Sequence, residues 1–163
     1  MFDYEGETTH KMSSIFRILD PVVSLQEVPG EISLIFQITG CPHRCPGCHS
    51  PELWPSNGSR FDLERFTLEI ERYRGLFTCV CFFGGEWLPG ELLIYLNFAR
   101  ERGLKTCLYS GATEVHSSLY PALNYLKLGP WVEALGGLDK NTTNQVFLDL
   151  DKKSNLNYLF QRN

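Results

Sequence analysis

Short apolar runs alternate with helix-period stretches along most of this chain, and that alternation limits the folds open to it more than any other feature. Ile32 to Ile38 is rich in β-branched and aromatic residues and reads as a buried strand, as does Thr78 to Phe83. Leu104 to Tyr109 reads as a third strand, Tyr125 to Lys127 as a fourth and Gln145 to Leu150 as a last. After the first strand, Asp62 is placed to cap a helix in which Leu63, Phe66, Ile70 and Tyr73 recur at helical spacing, with Gly75 as its stop. A second helix is expected from Pro89 to Arg102, with proline in its first turn and Gly103 past its end. A short helix around Thr113 to Leu119 is expected after the third strand. Strands alternating with helices imply parallel βαβ units. About five mainly parallel strands are too few for a closed eight-stranded barrel of ~250 residues. The expected architecture is therefore α/β, an open partial (βα) barrel. A single domain is expected over 1–163, with polar tails at 1–12 and 151–163.

In such a fold the βα loops gather at the carboxyl ends of the strands and build the site there. Three motifs fall at those ends. The first is the loop Gly40-Cys41-Pro42-His43-Arg44-Cys45-Pro46-Gly47-Cys48-His49, with cysteines spaced C-x3-C-x2-C. Three thiolates on one tight loop can hold three irons of a cubane 4Fe–4S cluster and leave the fourth iron open. A cluster used only for electron transfer normally takes four cysteines, whereas an open metal position is what a catalytic site keeps. Zinc is the competing reading, because C-x2-C pairs bind it, with His43, His49 or a distant cysteine as fourth ligand. The second motif is Gly84-Gly85-Glu86. Two glycines let backbone approach a ligand closely, and the adjacent carboxylate can accept a strong hydrogen bond from an ammonium; a tight turn is the plainer alternative. The third, Ser110-Gly111, either offers backbone groups to a ribose or carboxylate or simply ends a strand. Cys79, Cys81 and Cys107 lie in apolar strand runs, where thiols are usually buried and inert; a fourth metal ligand or a redox pair is the alternative. Trp54, Trp87 and Trp131 are expected to pack, the first two close to the key motifs.

Composition narrows the function classes. Hydrophobic residues are 43% and charged residues 21% of the chain, which is ordinary for one globular domain. Six cysteines could pair as disulfides. The N-terminus Met1-Phe2-Asp3-Tyr4-Glu5-Gly6-Glu7 is acidic and polar, unlike a secretory leader, so a reducing cytoplasm is expected. Net charge is −4 with no Lys or Arg block, so no nucleic-acid partner is expected. The apolar run near the start is too short to cross a membrane.

Taken together, these motifs resemble those of the radical S-adenosylmethionine enzymes, and within them the activating proteins of anaerobic ribonucleotide reductases. The resemblance covers roughly Ser24 to Phe147. It is carried by the loop Thr39 to His49 with Trp54 shortly after, by Gly84-Gly85-Glu86, and by Tyr109-Ser110-Gly111. Leu135-Gly136-Gly137-Leu138 followed by Thr142-Thr143-Asn144-Gln145 adds to it. The resemblance implies that Cys41, Cys45 and Cys48 hold one 4Fe–4S cluster whose open iron chelates the amino and carboxylate groups of S-adenosyl-L-methionine. It implies that Gly84, Gly85 and Glu86 bind the amino group and that Ser110 and Gly111 join the cosubstrate site. Gly47 stands where many radical enzymes carry an aromatic residue near the adenine, and His49 is the candidate by position to take that place. No residue beyond the cluster and cosubstrate receives a catalytic role. The implied reaction is reductive cleavage of the cosubstrate to a 5′-deoxyadenosyl radical, which takes a hydrogen atom from a glycine of the reductase large subunit. A low-potential electron donor such as flavodoxin is the implied second partner. Two departures bear on the protein substrate: Trp87-Leu88 separate Glu86 from Pro89, and Glu31 and Ser33 stand where relatives often carry a basic residue. An activase of another glycyl-radical enzyme, an iron–sulfur electron-transfer protein and a zinc-binding interaction module are the other readings. Asn144 and Gln145 have no expected role beyond local hydrogen bonding.

Overall fold

The computed structural model describes residues 16–161, so the expected tail over 1–12 lies outside the described residues. In chain order the elements are β1 (Arg17–Ile18), β2 (Val22–Ser24), β3 (Ser33–Gln37), β4 (Ser59–Arg60), α1 (Leu63–Arg72), β5 (Cys79–Phe83), α2 (Pro89–Glu101), β6 (Lys105–Tyr109), β7 (Tyr125–Leu128), β8 (Val146–Asp149) and β9 (Ser154–Asn155). Short 3₁₀ helices occupy Pro51–Leu53, Ser117–Ala122 and Asn157–Leu159. The main sheet is mixed, with seven strands in the order β2-β3-β5-β6-β7-β8-β9. Its centre, β3-β5-β6-β7, is parallel and strictly sequential. β2, β8 and β9 extend it antiparallel at the two sides.

Alternation along the strands divides the core between two faces. Leu34, Phe36, Val80, Phe82, Leu108 and Leu126 point to one face and are fully buried under Phe66 and Ile70 of α1 and Leu92, Tyr95, Leu96 and Ala99 of α2. The packing there is dominated by aromatic rings. Phe36 meets Phe66 edge-on at 5.0 Å, and Phe61 stacks on Tyr95 at 4.6 Å. Such pairs add about 0.5–1.5 kcal/mol each beyond the area they bury. α1 starts where expected: Asp62 Oδ1 accepts the Arg65 N–H at 2.9 Å, satisfying an otherwise orphaned donor. α2 starts at Pro89 and ends one residue before Arg102.

The opposite face carries Ile35, Cys79, Cys81, Cys107 and Phe147 and is covered by Val28, Leu138 and Phe160 rather than by an α-helix. Two segments differ from expectation. The short helix expected over 113–119 is instead a 3₁₀ helix at Ser117–Ala122, where Pro121 denies an α-helical donor and His116 Nδ1 accepts the Ser118 N–H. The stretch after residue 150, expected as a polar tail, adds β9 and folds Phe160 onto Phe147 at 5.1 Å. Asn157 makes this possible, because its side chain accepts from Phe147 N–H and donates to the Gln145 carbonyl, both at 2.8 Å. The sheet is thereby wider than the five strands expected. No helix among the described residues is long and apolar enough to cross a membrane.

Candidate metal and cosubstrate site

The carboxyl ends of the four parallel strands are locked side by side. Ile38 N–H donates to Phe83 O, Gly84 N–H to Tyr109 O and Ser110 N–H to Lys127 O, at 2.9, 3.0 and 2.9 Å. The cysteine loop leaves the first of these ends. Gly40 and Cys41 both donate to the Leu53 carbonyl, at 2.8 and 2.9 Å, which closes the loop at its base. Within it, Cys45-Pro46-Gly47-Cys48 forms a β-turn, with Cys48 N–H donating to Cys45 O at 3.1 Å. Proline at the second position and Gly47 at φ +70° in the third are the pattern of a type II turn. The turn brings Cys45 and Cys48 to one side. Arg44 has φ +46°, a region that non-glycine residues enter seldom. Ser50 N–H donates to Cys48 Sγ at 3.4 Å. Burial pushes the Cys41 thiol up, while the backbone N–H groups of His43 and Arg44 pull it back down.

All three thiols line one cavity of about 510 Å³, together with Gly84, Glu86, Ser110, Gly111 and His49. Glu86 is the centre of its polar side. The side chain is only 6% exposed, and Oε1 pairs with His43 Nε2 at 2.7 Å and accepts from Ser110 Oγ at 2.8 Å. Ser110 Oγ is oriented for this by accepting the Ala112 N–H at 3.0 Å. Glu86 Oε2 is buried with no hydrogen-bond partner. A buried carboxylate oxygen left bare is costly, and it marks a place for a ligand donor.

The two glycines before Glu86 serve the fold more directly than the ligand. Gly84 and Gly85 have φ +83° and +97°. A Cβ on Gly84 would meet the Trp87 ring at 2.7 Å, and one on Gly85 would meet Ile38 Cδ1 at 2.6 Å. Gly84 borders the cavity, whereas Gly85 is buried behind it. Gly111 leaves room for His43, whose ring a Cβ there would meet at 3.1 Å. Gly47 is exposed at the turn and outside the cavity lining.

Lys127 and Glu27, given no role in the sequence, also line the cavity, as do Trp131, expected only to pack, and Tyr109. Lys127 Nζ donates to Gly129 O at 2.8 Å and faces no carboxylate partner among the described ion pairs. Its removal from water pulls the ammonium down to about 8, opposed by Cys45, Glu86 and Cys48. The alternation Tyr125-Leu126-Lys127 points Lys127 away from the helices, a signal that was available in the sequence. Trp131 packs against His49 in a tilted contact, with ring centroids 4.0 Å apart and planes at 47°. It belongs to a strap between β7 and β8 that the late motifs tie together. Thr142 and Thr143 donate to the carbonyls of Leu135 and Gly136, at 2.7 and 2.9 Å. Asn144 Nδ2 donates to Pro130 O at 3.0 Å, and Gln145 Nε2 reaches the same carbonyl at 3.4 Å. Cys79, Cys81 and Cys107 are fully buried outside the cavity lining, with burial raising the Cys79 and Cys107 thiols well above their ordinary range.

The donor set fits an iron–sulfur centre beside an amino acid. Three sulfurs suit soft metal chemistry, and a bare carboxylate oxygen and a half-buried ammonium stand ready for an amino and a carboxylate group. Among the described residues no three His, Cys, Asp or Glu side chains already converge on one metal position. No protein-family model matches this chain, and no curated protein matches it.

Proposed function

We propose that this chain is an iron–sulfur enzyme that reductively cleaves S-adenosylmethionine and generates a glycyl radical on an anaerobic ribonucleotide reductase. The observation that carries the reading is the single cavity shared by Cys41, Cys45, Cys48 and the bare Oε2 of Glu86, bridged by the 2.7 Å contact of His43 with Glu86. His43 faces Glu86 rather than completing a cysteine set, which favours an open metal position over a closed zinc site. The sequential parallel strands, with α-helices against one face only, support an open partial barrel.

Cys41, Cys45 and Cys48 would hold three irons. Glu86 Oε2 accepts from the cosubstrate ammonium, while Ser110 and His43 fix the carboxylate through Oε1. Lys127 offers the opposite charge to the carboxylate of the same ligand. Phe83 and Tyr109, stacked at 4.8 Å, and Leu138 give the cavity an apolar wall that excludes water. A reduced cluster held by these three cysteines would supply one electron to the sulfonium, so that its bond to C5′ would break to release methionine and a hydrogen atom of the partner's glycine would be taken. The large subunit of the reductase as protein substrate, and a low-potential donor such as flavodoxin, follow from the resemblance of the motifs.

Anaerobic mixing of the reduced protein, S-adenosylmethionine and the host's oxygen-independent reductase tests this. An air-sensitive electron paramagnetic resonance doublet is expected on the partner and none when its radical-site glycine is alanine. A colourless preparation that holds zinc contradicts the proposal.

A further inference from the structure

We propose that Trp131 tunes the metal centre, its indole N–H donating to sulfur at the Cys48 corner of the cluster and so setting the reduction potential. The inference rests on the cluster reading above. Its first support is an unexplained donor: Trp131 Nε1 is buried and has no hydrogen-bond partner. Native proteins leave few buried donors unpaired, and each such group calls for a partner.

The second support is where that donor stands. A Cβ built on Gly47 would lie 3.5 Å from Trp131 Nε1 and equally 3.5 Å from Glu133 Oε2. The ring of His49 lies 4.0 Å from the Trp131 ring, centroid to centroid. The indole therefore lies against His49 and near the Gly47 turn, and Trp131 and Cys48 line the same cavity. Cys48 Sγ already takes one N–H, from Ser50, and Lys127 lines the same cavity. The indole would add a second N–H to the one that Ser50 already supplies to Cys48.

The chemistry gives a sign. Reduction adds one electron and hence one negative charge to the cluster and its sulfurs, with no proton needed. A donor aimed at sulfur stabilises the reduced form more than the oxidised one and raises the potential.

The test is a potentiometric titration of the reconstituted full chain, followed by electron paramagnetic resonance. Trp131→Phe keeps an aromatic ring against His49 and removes the N–H. Iron and sulfide per chain should be unchanged, and the reduced-to-oxidised ratio at a fixed potential should fall about threefold to tenfold; tenfold is about 59 mV for a one-electron couple. A second arm replaces the Trp131 indole by its benzothiophene analogue, which has the same ring system with sulfur in place of N–H, and the same fall is expected. An unchanged or raised potential in the analogue overturns the inference and leaves the nearby Glu133 carboxylate as the partner of the N–H. If Trp131→Phe loses its iron, the analogue alone decides. A wild-type chain that takes up no iron contradicts the cluster reading itself, which separates that failure from this one.

Discussion

At the scale of single residues, the site depends on what each buried polar atom lacks. Glu86 offers one oxygen already committed to Ser110 and His43 and one oxygen bare. Glu86→Gln keeps an acceptor in the first position but puts an NH₂ group in the second, or the reverse. Either way one contact is lost, and an incoming ammonium meets a donor or a displaced network. The cluster should be retained, and S-adenosylmethionine affinity, measured by calorimetry, should fall about ten- to a hundredfold, from the roughly 1.5–3 kcal/mol of a hydrogen bond to a charged group. The six cysteines should separate into two sets. Changing Cys41, Cys45 or Cys48 to alanine should abolish iron binding. Cys107→Ala, fully buried away from the cavity, should keep its iron and lose only about 1 kcal/mol of stability for one deleted heavy atom. Iron analysis and thermal melting check both. The cysteines, Glu86 and Ser110 are legible in the sequence because each sits at a strand end in a short motif. Lys127, Trp131 and Glu27 carry no motif, and their place in the cavity depends on pairings and loop paths distant along the chain. Asn144 and Gln145 are expected to bond locally, but both side chains reach the Pro130 carbonyl, 14 and 15 residues earlier and beyond the reach of local pattern.

At the scale of elements, what is legible is what carries a period or a cap. α1 announces itself through Asp62 and the spacing of Phe66 and Ile70, and the structure puts that side chain on the Arg65 N–H. Asp62→Ala should cost about 1 kcal/mol, read as a drop of about 2–4 °C in melting temperature, with iron binding unaffected. β2 and β9 are not legible, because strands of three and two residues have no measurable alternation and exist only through β3 and β8 beside them. The strap between β7 and β8 is a hydrogen-bonded loop rather than a periodic element. Thr143 holds it twice, donating to Gly136 O and accepting from Gln145 N–H. Thr143→Val preserves shape and removes both bonds, at about 1–2 kcal/mol. Hydrogen exchange should quicken at Gln145 and its neighbours in the strap and stay unchanged in β5 and β6.

At the scale of the whole molecule, the division of the sheet into two faces organises everything else. The helix side is a buried aromatic core; the other side carries the three buried thiols and rises at the carboxyl ends into the cavity. The order of the central strands is legible because alternating strand and helix patterns leave parallel crossovers as the natural path. The final β8–β9 extension and the packing of Phe160 are not, since polar composition conceals one side-chain amide, Asn157, that substitutes for strand pairing. The account requires the whole chain to bring three thiols and one bare carboxylate oxygen to a single ligand. The direct measurement is anaerobic: the iron- and sulfide-loaded chain is reduced with dithionite, S-adenosylmethionine is added, and 5′-deoxyadenosine and methionine are quantified. Equal amounts of the two products, abolished in Cys45→Ala and strongly diminished in Glu86→Gln, are predicted. An intact, reducible cluster that releases no 5′-deoxyadenosine would contradict the account.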